Sequence, residues 1–144
     1  MTVAAILKHK GTAVAAVGPR DTVPEIVRTL AEWRIGAVLV RDAAAQLLGI
    51  VSERDIVRSL AQNGERTLGM TAAQLMTSPV YTIAANAAVA EAMARMTESR
   101  IRHLPVVENN ALIGMISIGD VVKALLAEQA SEVDSLKAYV AGSA

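Results

Sequence analysis

The sequence predicts an α/β chain of the α+β type, in which two β-α-β-β-α repeats pack with pseudo-twofold symmetry. One observation is a duplication: Leu48-Gly49-Ile50-Val51-Ser52-Glu53-Arg54-Asp55-Ile56-Val57 returns 65 positions later as Ile113-Gly114-Met115-Ile116-Ser117-Ile118-Gly119-Asp120-Val121-Val122. A second is the order of apolar patterns, which passes from strand-like runs to helical spacing in the same sequence in both halves. The third is composition. Hydrophobic residues make up 53% of the chain, yet Trp33, Tyr81 and Tyr139 are its only aromatics, so the core is aliphatic and suits thin layers of helix on sheet.

The elements follow in chain order. Residues 2–8 resemble residues 71–76 and predict a short helix ahead of each repeat. A strand is expected at 13–17 and again at 80–83. The next helix carries Val23, Ile26, Val27, Leu30 and Trp33 at helical spacing in the first repeat and Val89, Met93 and Met96 in the second. Strands at 37–41 and 104–107 lead through turns at 42–46 and 108–111 into strands at 47–52 and 112–117. Each repeat ends in a helix with Ile56, Val57 and Leu60, or Val121, Val122, Leu125 and Leu126, on one face. Flanking matches (Glu32-Trp33-Arg34-Ile35 with Glu98-Ser99-Arg100-Ile101) are 66 apart, so one residue has been lost from the second repeat's turn. The expected organisation is residues 1–66 as the first repeat with its N-terminal short helix, 67–130 as the second repeat, and 131–144 as a C-terminal helical extension carrying Val133, Leu136 and Val140.

Charge and chemistry exclude several classes of function. Lys plus Arg number 14 against 14 Asp plus Glu, which leaves no net field for a polyanion, and three scattered aromatics offer no stacking platform for bases. No nucleic-acid partner is expected. The chain has no cysteine, hence no disulfide, thiolate nucleophile or Cys-based zinc site, and its two histidines, His9 and His103, have no ligand-spaced companions. The first ten residues lack the order of a signal peptide, and the uncharged run 67–90 is broken by polar residues from Thr71 to Asn86. The expectation is a cytoplasmic protein with no membrane partner and no required metal.

The repeated Gly-x-x-Ser-x-x-Asp element, Gly49/Ser52/Asp55 and Gly114/Ser117/Asp120, falls where a strand hands over to a helix. A helix start offers backbone N–H groups to an anion, with a hydroxyl and a carboxylate beside it, and the glycine leaves room for an approaching ligand. A carboxylate there can accept from both hydroxyls of a ribose. The same spacing is also close to a capping box, which stabilises a helix start by about 0.5–2 kcal/mol with no ligand at all. The second feature is the segment from Ser99 to Val107, with Arg100, Arg102 and His103. Strand alternation sets Arg100, Arg102 and Leu104 on one side and Ile101 and His103 on the other. Arginine recognises phosphate bidentately and histidine adds a hydrogen bond, although the same residues also read as solvated charges at a strand end. The first repeat has Gly36 and Ala37 where the second has Arg102 and His103, so two phosphate sites built this way are not equivalent. Ser117, His103 and Asp120 supply the letters of a catalytic triad, but Ser and Asp one helical turn apart leave nothing to hold the His between them. No enzyme is expected.

Both units resemble CBS (cystathionine-β-synthase) motifs, through the Gly-hydrophobic-hydrophobic-Ser-x-x-Asp segment of each and the Arg-His-Leu-Pro-Val segment of the second, over nearly the whole chain from about Val3 to Leu126. Such tandem pairs form Bateman modules, commonly homodimers, that bind AMP, ADP, ATP, NAD or S-adenosylmethionine in clefts between repeats and signal through another protein. By that resemblance Ser52, Asp55, Ser117 and Asp120 hold ribose, and Arg102 and His103 hold phosphate. Arg100 and Arg54 are further phosphate candidates, with Lys8, Lys10 and Arg20 as weaker basic groups. Val80, Tyr81, Thr82 and Ile83 line one base, and Ala13 and Val14 the other. The implied function is a non-catalytic adenine-nucleotide sensor with AMP as its foremost ligand, acting through a homodimer or an unidentified downstream protein. The alternative is a structural dimerisation module without ligand.

Overall fold

A computed structural model describes residues Met1–Ser143. The elements are α1 (Val3–Lys10), β1 (Ala16–Val17), α2 (Val23–Trp33), β2 (Ala37–Arg41), β3 (Leu47–Ser52), α3 (Glu53–Asn63), a 3-10 segment (Gly64–Gly69), α4 (Ala72–Leu75), β4 (Ile83–Ala84), α5 (Val89–Ser99), β5 (His103–Glu108), β6 (Ala111–Ser117) and α6 (Ile118–Ser143). The mixed α/β class and the two-repeat arrangement are as the sequence reading has them.

The chain forms two compact units: residues Ala13–Tyr81, and a discontinuous unit of Met1–Thr12 with Thr82–Ala144. This division differs from boundaries at 1–66, 67–130 and 131–144, because the N-terminal helix does not stay with the repeat that follows it. Val3, Ile6 and Leu7 of α1 are buried in the second repeat's core beside Val89, Leu104, Ile116 and Val121. The helix start is satisfied there too, with Val3 N donating to Ala87 O at 2.9 Å and Ala4 N to Ala85 O at 2.8 Å. α4 makes the matching contact in the other unit, where Ala72 N donates to Asp21 O at 2.8 Å and Ala73 N to Pro19 O at 3.0 Å. Each short helix thus docks on the loop ahead of a long helix (α2 or α5), and the apolar stripe of α1 is covered.

In the continuous unit the sheet order is β1-β2-β3, with β1 parallel to β2 and β2 antiparallel to β3. β2 is buried along Ala37–Val40, as a central strand between helices and neighbours requires. α2 begins in a capping box formed by Thr22 and Glu25, presents Val23, Ile26 and Leu30 to the core, and stops at Arg34 in the left-handed conformation (φ 54°). The other unit repeats this plan as β4-β5-β6, with α5 stopping at left-handed Arg100 (φ 54°). Its hairpin turn is Asn109–Asn110, both at positive φ, the conformation a two-residue turn demands and asparagine tolerates. That tight turn accounts for the residue missing from the second repeat.

The short strands begin later than the sequence suggests, at Ala16 and Ile83 rather than 13 and 80, and they run parallel to Leu39–Val40 of β2 and Val106–Val107 of β5. The residues after Ala130 continue the last helix without a break: α6 is one 26-residue helix. Ala144 lies outside the described residues.

Candidate functional site

Register places the sequence candidates of each repeat at one end of its sheet. Ala37 pairs with Ser52 across β2 and β3, and His103 pairs with Ser117 across β5 and β6. The serine ends its strand and caps the helix that follows, so the acid three residues on is brought back to the strand end.

At α3 the capping box is complete. Asp55 Oδ2 accepts from Ser52 N at 2.8 Å and from the Ser52 hydroxyl at 3.0 Å, while Asp55 N donates to Ser52 Oγ at 3.2 Å. Arg58 Nη1 stands 3.7 Å from Asp55 Oδ1, and the carboxylate side chain is only 13% exposed. α6 starts in the same way, Asp120 Oδ2 accepting from Ser117 N at 2.8 Å and Asp120 N donating to Ser117 Oγ at 3.2 Å. Here, however, the second bond to Oδ2 comes from Lys10 Nζ at 2.6 Å, and the same ammonium donates to Met115 O at 2.9 Å. Burial on its own pushes the Asp120 carboxyl up, but the bonds and charge of Lys10 and the Ser117 amide outweigh it and hold the group below the ordinary carboxylate range.

Two sequence expectations change here. The helix starts present fewer N–H groups than expected: Glu53 N already donates to Gly36 O at 2.9 Å and Ile118 N to Arg102 O at 2.8 Å, while Asp55 N and Asp120 N are taken by the capping serines. Gly49 and Gly114 are buried, and they make room for the chain rather than for a ligand. A β-carbon on Gly49 would lie 2.5 Å from Met76 Sδ, and one on Gly114 would lie 2.7 Å from Leu7 Cδ2.

The basic residues differ in local setting. Arg100 is the exposed left-handed cap of α5 and Arg102 lies exposed in a bend, so strand alternation governs the segment only from His103 onward. His103, half-buried, shares its pair position with Ser117. Arg54 is exposed on the first turn of α3 beside Asp55. Among the residues expected to line a base, Ala13 and Val14 precede β1, and Val80 and Tyr81 close the continuous unit. Thr82 opens the other unit, and the side chain of Ile83 is buried in that unit's core. Sequence reasoning missed two cations. Arg58 stands one turn from Asp55 and was findable from its spacing. Arg95 Nη1 donates to Thr82 O at 2.8 Å across thirteen positions, with no local signal to reveal it.

Among the described residues no cluster of three or more His, Asp or Glu side chains is arranged to hold a metal ion. Among the described residues no helix is long and apolar enough to cross a membrane.

Comparison with known proteins gives the same two segments. The CBS-domain profile matches residues 10–62 and 72–127, one match on each copy of the duplication. The chain is 34% identical over 149 residues to "CBS domain-containing protein CBSX3, mitochondrial" of Arabidopsis thaliana, covering 98% of this chain and 72% of that one. A CBS-domain containing protein from Agrobacterium tumefaciens superposes with a TM-score of 0.84 at 43% identity, over 85% of this chain and 92% of that chain. A CBS domain protein from Pyrobaculum aerophilum, solved in complex with AMP, gives a TM-score of 0.77 at 29% identity over 91% of this chain and 99% of that chain. With both halves of the duplication matched and relatives spanning nearly all of its length, the chain belongs to the CBS-domain family, as a tandem pair of CBS domains.

Proposed function

We propose that this CBS pair is a non-catalytic regulatory module that binds an adenine nucleotide, AMP foremost among AMP, ADP, ATP, NAD and S-adenosylmethionine. The observation that carries this is the carboxylate returned to the strand end in both repeats, Asp55 and Asp120, in a fold shared with an AMP-bound relative. At each acid the backbone amide bonds Oδ2. A ribose hydroxyl is assigned to the other oxygen, where an ionised acceptor makes the stronger, charge-assisted bond. Ser52 and Ser117 stand beside them. Arg102 and His103 supply phosphate contacts in the second repeat, with Arg100 as a more distant cation, and Arg54 stands in for them in the first. Main chain at Ala13 and Val14, and at Val80, Tyr81, Thr82 and Ile83, supplies the surface for the base. The module works as a homodimer, supported by the exposed apolar side chains Val27 and Trp33 on α2, Val57 and Leu60 on α3, and Val122 and Leu126 on α6. Its output passes to a downstream protein.

A second reading has one specific observation in its favour. The capping boxes already occupy the acids, so the Ser-x-x-Asp elements account for themselves as helix starts in a structural dimerisation module. Titration calorimetry with AMP on Asp120→Asn and Asp55→Asn, beside melting curves without ligand, separates the two. A lost charged bond to ribose, about 1.5–3 kcal/mol, weakens binding roughly 10- to 150-fold. A lost cap lowers stability by about 1 kcal/mol and leaves affinity alone. Variants that bind AMP as the parent does, yet melt lower, establish the caps and remove the ribose sites.

A further inference from the structure

α6 outruns the unit it belongs to. Every residue from Ser131 to Gly142 is exposed, a projection of about 18 Å at the rise of an α-helix. Five of its apolar residues and one polar residue, Gln129, fall into a single register. Val122, Leu126, Gln129, Val133, Leu136 and Val140 follow one another at alternating steps of four and three, the spacing of a coiled-coil seam with Leu126, Val133 and Val140 at a and Val122, Gln129 and Leu136 at d. The seam faces solvent: Leu126 is 60% exposed, Val133 50%, Leu136 63% and Val140 60%. Positions away from it in the same stretch are Glu128, Ser131, Asp134 and Ser135.

We infer that the projecting half of α6 is a self-association surface whose occupant is the same helix of a second copy, paired in parallel. Two features of the sequence select that partner. Valine at a with leucine at d, as in Val133, Leu136 and Val140, favours two-stranded parallel pairing. Glu132 falls at g and Lys137 at the following e, so a parallel pair brings the Glu132 of each copy to the Lys137 of the other. An antiparallel pair sets g against g and e against e, like charge facing like. The inference rests on the homodimer reading above and extends it to a surface the nucleotide does not need.

The chain has no cysteine, so one introduced thiol reports its own neighbourhood. Under mild oxidation full-length Val133→Cys and Leu136→Cys are expected to form disulfide-linked dimers, while Ser135→Cys, on the outer face, remains mostly unlinked. In sedimentation equilibrium Glu132→Lys should weaken the dimer about 3- to 10-fold, and Glu132→Lys with Lys137→Glu should restore it. A dimer by light scattering with no link at either seam position overturns the seam and leaves the homodimer standing; a monomer overturns both. Linking only between a Val133→Cys chain and a Leu136→Cys chain overturns the parallel orientation. Equal linking at Ser135 overturns the seam as the site of contact.

Discussion

Asp55 and Asp120 occupy equivalent places in the duplication, yet their second partners differ: a serine hydroxyl and Arg58 at the first, Lys10 at the other. Lys10 has no basic counterpart in the continuous unit, since the residue three beyond Met76 is Pro79, as Lys10 is three beyond Leu7. The consequence is a pH dependence attached to one acid. Because the carboxyl of Asp120 titrates lower in the folded chain than in the unfolded one, its contribution is fully present above the ordinary carboxylate range and is lost as pH falls through the folded value. Asp120→Asn should therefore melt below the parent at neutral pH, with the gap narrowing from about pH 5 downward. A gap of constant size from pH 7 to pH 3, by calorimetric melting, would assign the loss to cap geometry rather than charge. The Ser-x-x-Asp elements were legible because their members are three residues apart. The Lys10–Asp120 pair spans 110 positions and was visible only as two charges until α1 was docked. Arg100 and Arg102 were legible as charges but not in position, because the left-handed turn at Arg100 breaks the alternation that a strand would impose.

The long helices and the paired strands were readable from apolar periodicity and turn residues, for those signals repeat over many positions. The two-residue strands β1 and β4 offered too few residues for a pattern that would fix their bounds. The 3-10 segment was invisible for another reason: it is anchored by a buried hydroxyl pair, Ser59 Oγ and Thr67 Oγ1 at 2.9 Å, rather than by an apolar stripe. At this scale the glycines of the motif make a test of helix docking. Gly49→Ala would place its β-carbon 2.9 Å from Met76 Cβ, so a backbone segment must shift that is bonded to β3 through Thr77 and Ile50. Gly114→Ala meets only the methyl groups of Leu7 at under 3.4 Å. Each should cost about 1–3 kcal/mol, with Gly49→Ala the more damaging, as read from urea midpoints. Nearly equal and negligible shifts would mean that α1 and α4 dock more loosely than their contacts imply.

For the molecule as a whole, the nucleotide reading predicts linkage between ligand and stability. Adenosine nucleotides at about 100 times their dissociation constant should stabilise by roughly 2.7 kcal/mol per site, and guanosine and pyrimidine nucleotides by much less. A melting temperature indifferent to millimolar AMP, ADP, ATP, NAD and S-adenosylmethionine would favour the structural reading. The duplication and the family were legible at this scale because motif and spacing recur together. The allocation of α1 was not, since nothing local distinguishes a helix that serves its own repeat from one that serves the next.

That allocation also orders the birth of the fold on the ribosome. The unit Ala13–Tyr81 is continuous and can close as soon as its last strand and α4 have emerged. α1 is made before everything that covers it: the Lys10 ammonium reaches for a carbonyl 105 positions downstream, and Val3, Ile6 and Leu7 find their cover only when β6 and α6 exist. At about 5–20 residues per second the amphipathic N-terminal segment spends on the order of ten seconds without its partner, the interval in which a nascent chain is most open to chaperones and to a neighbouring copy's unfilled second unit.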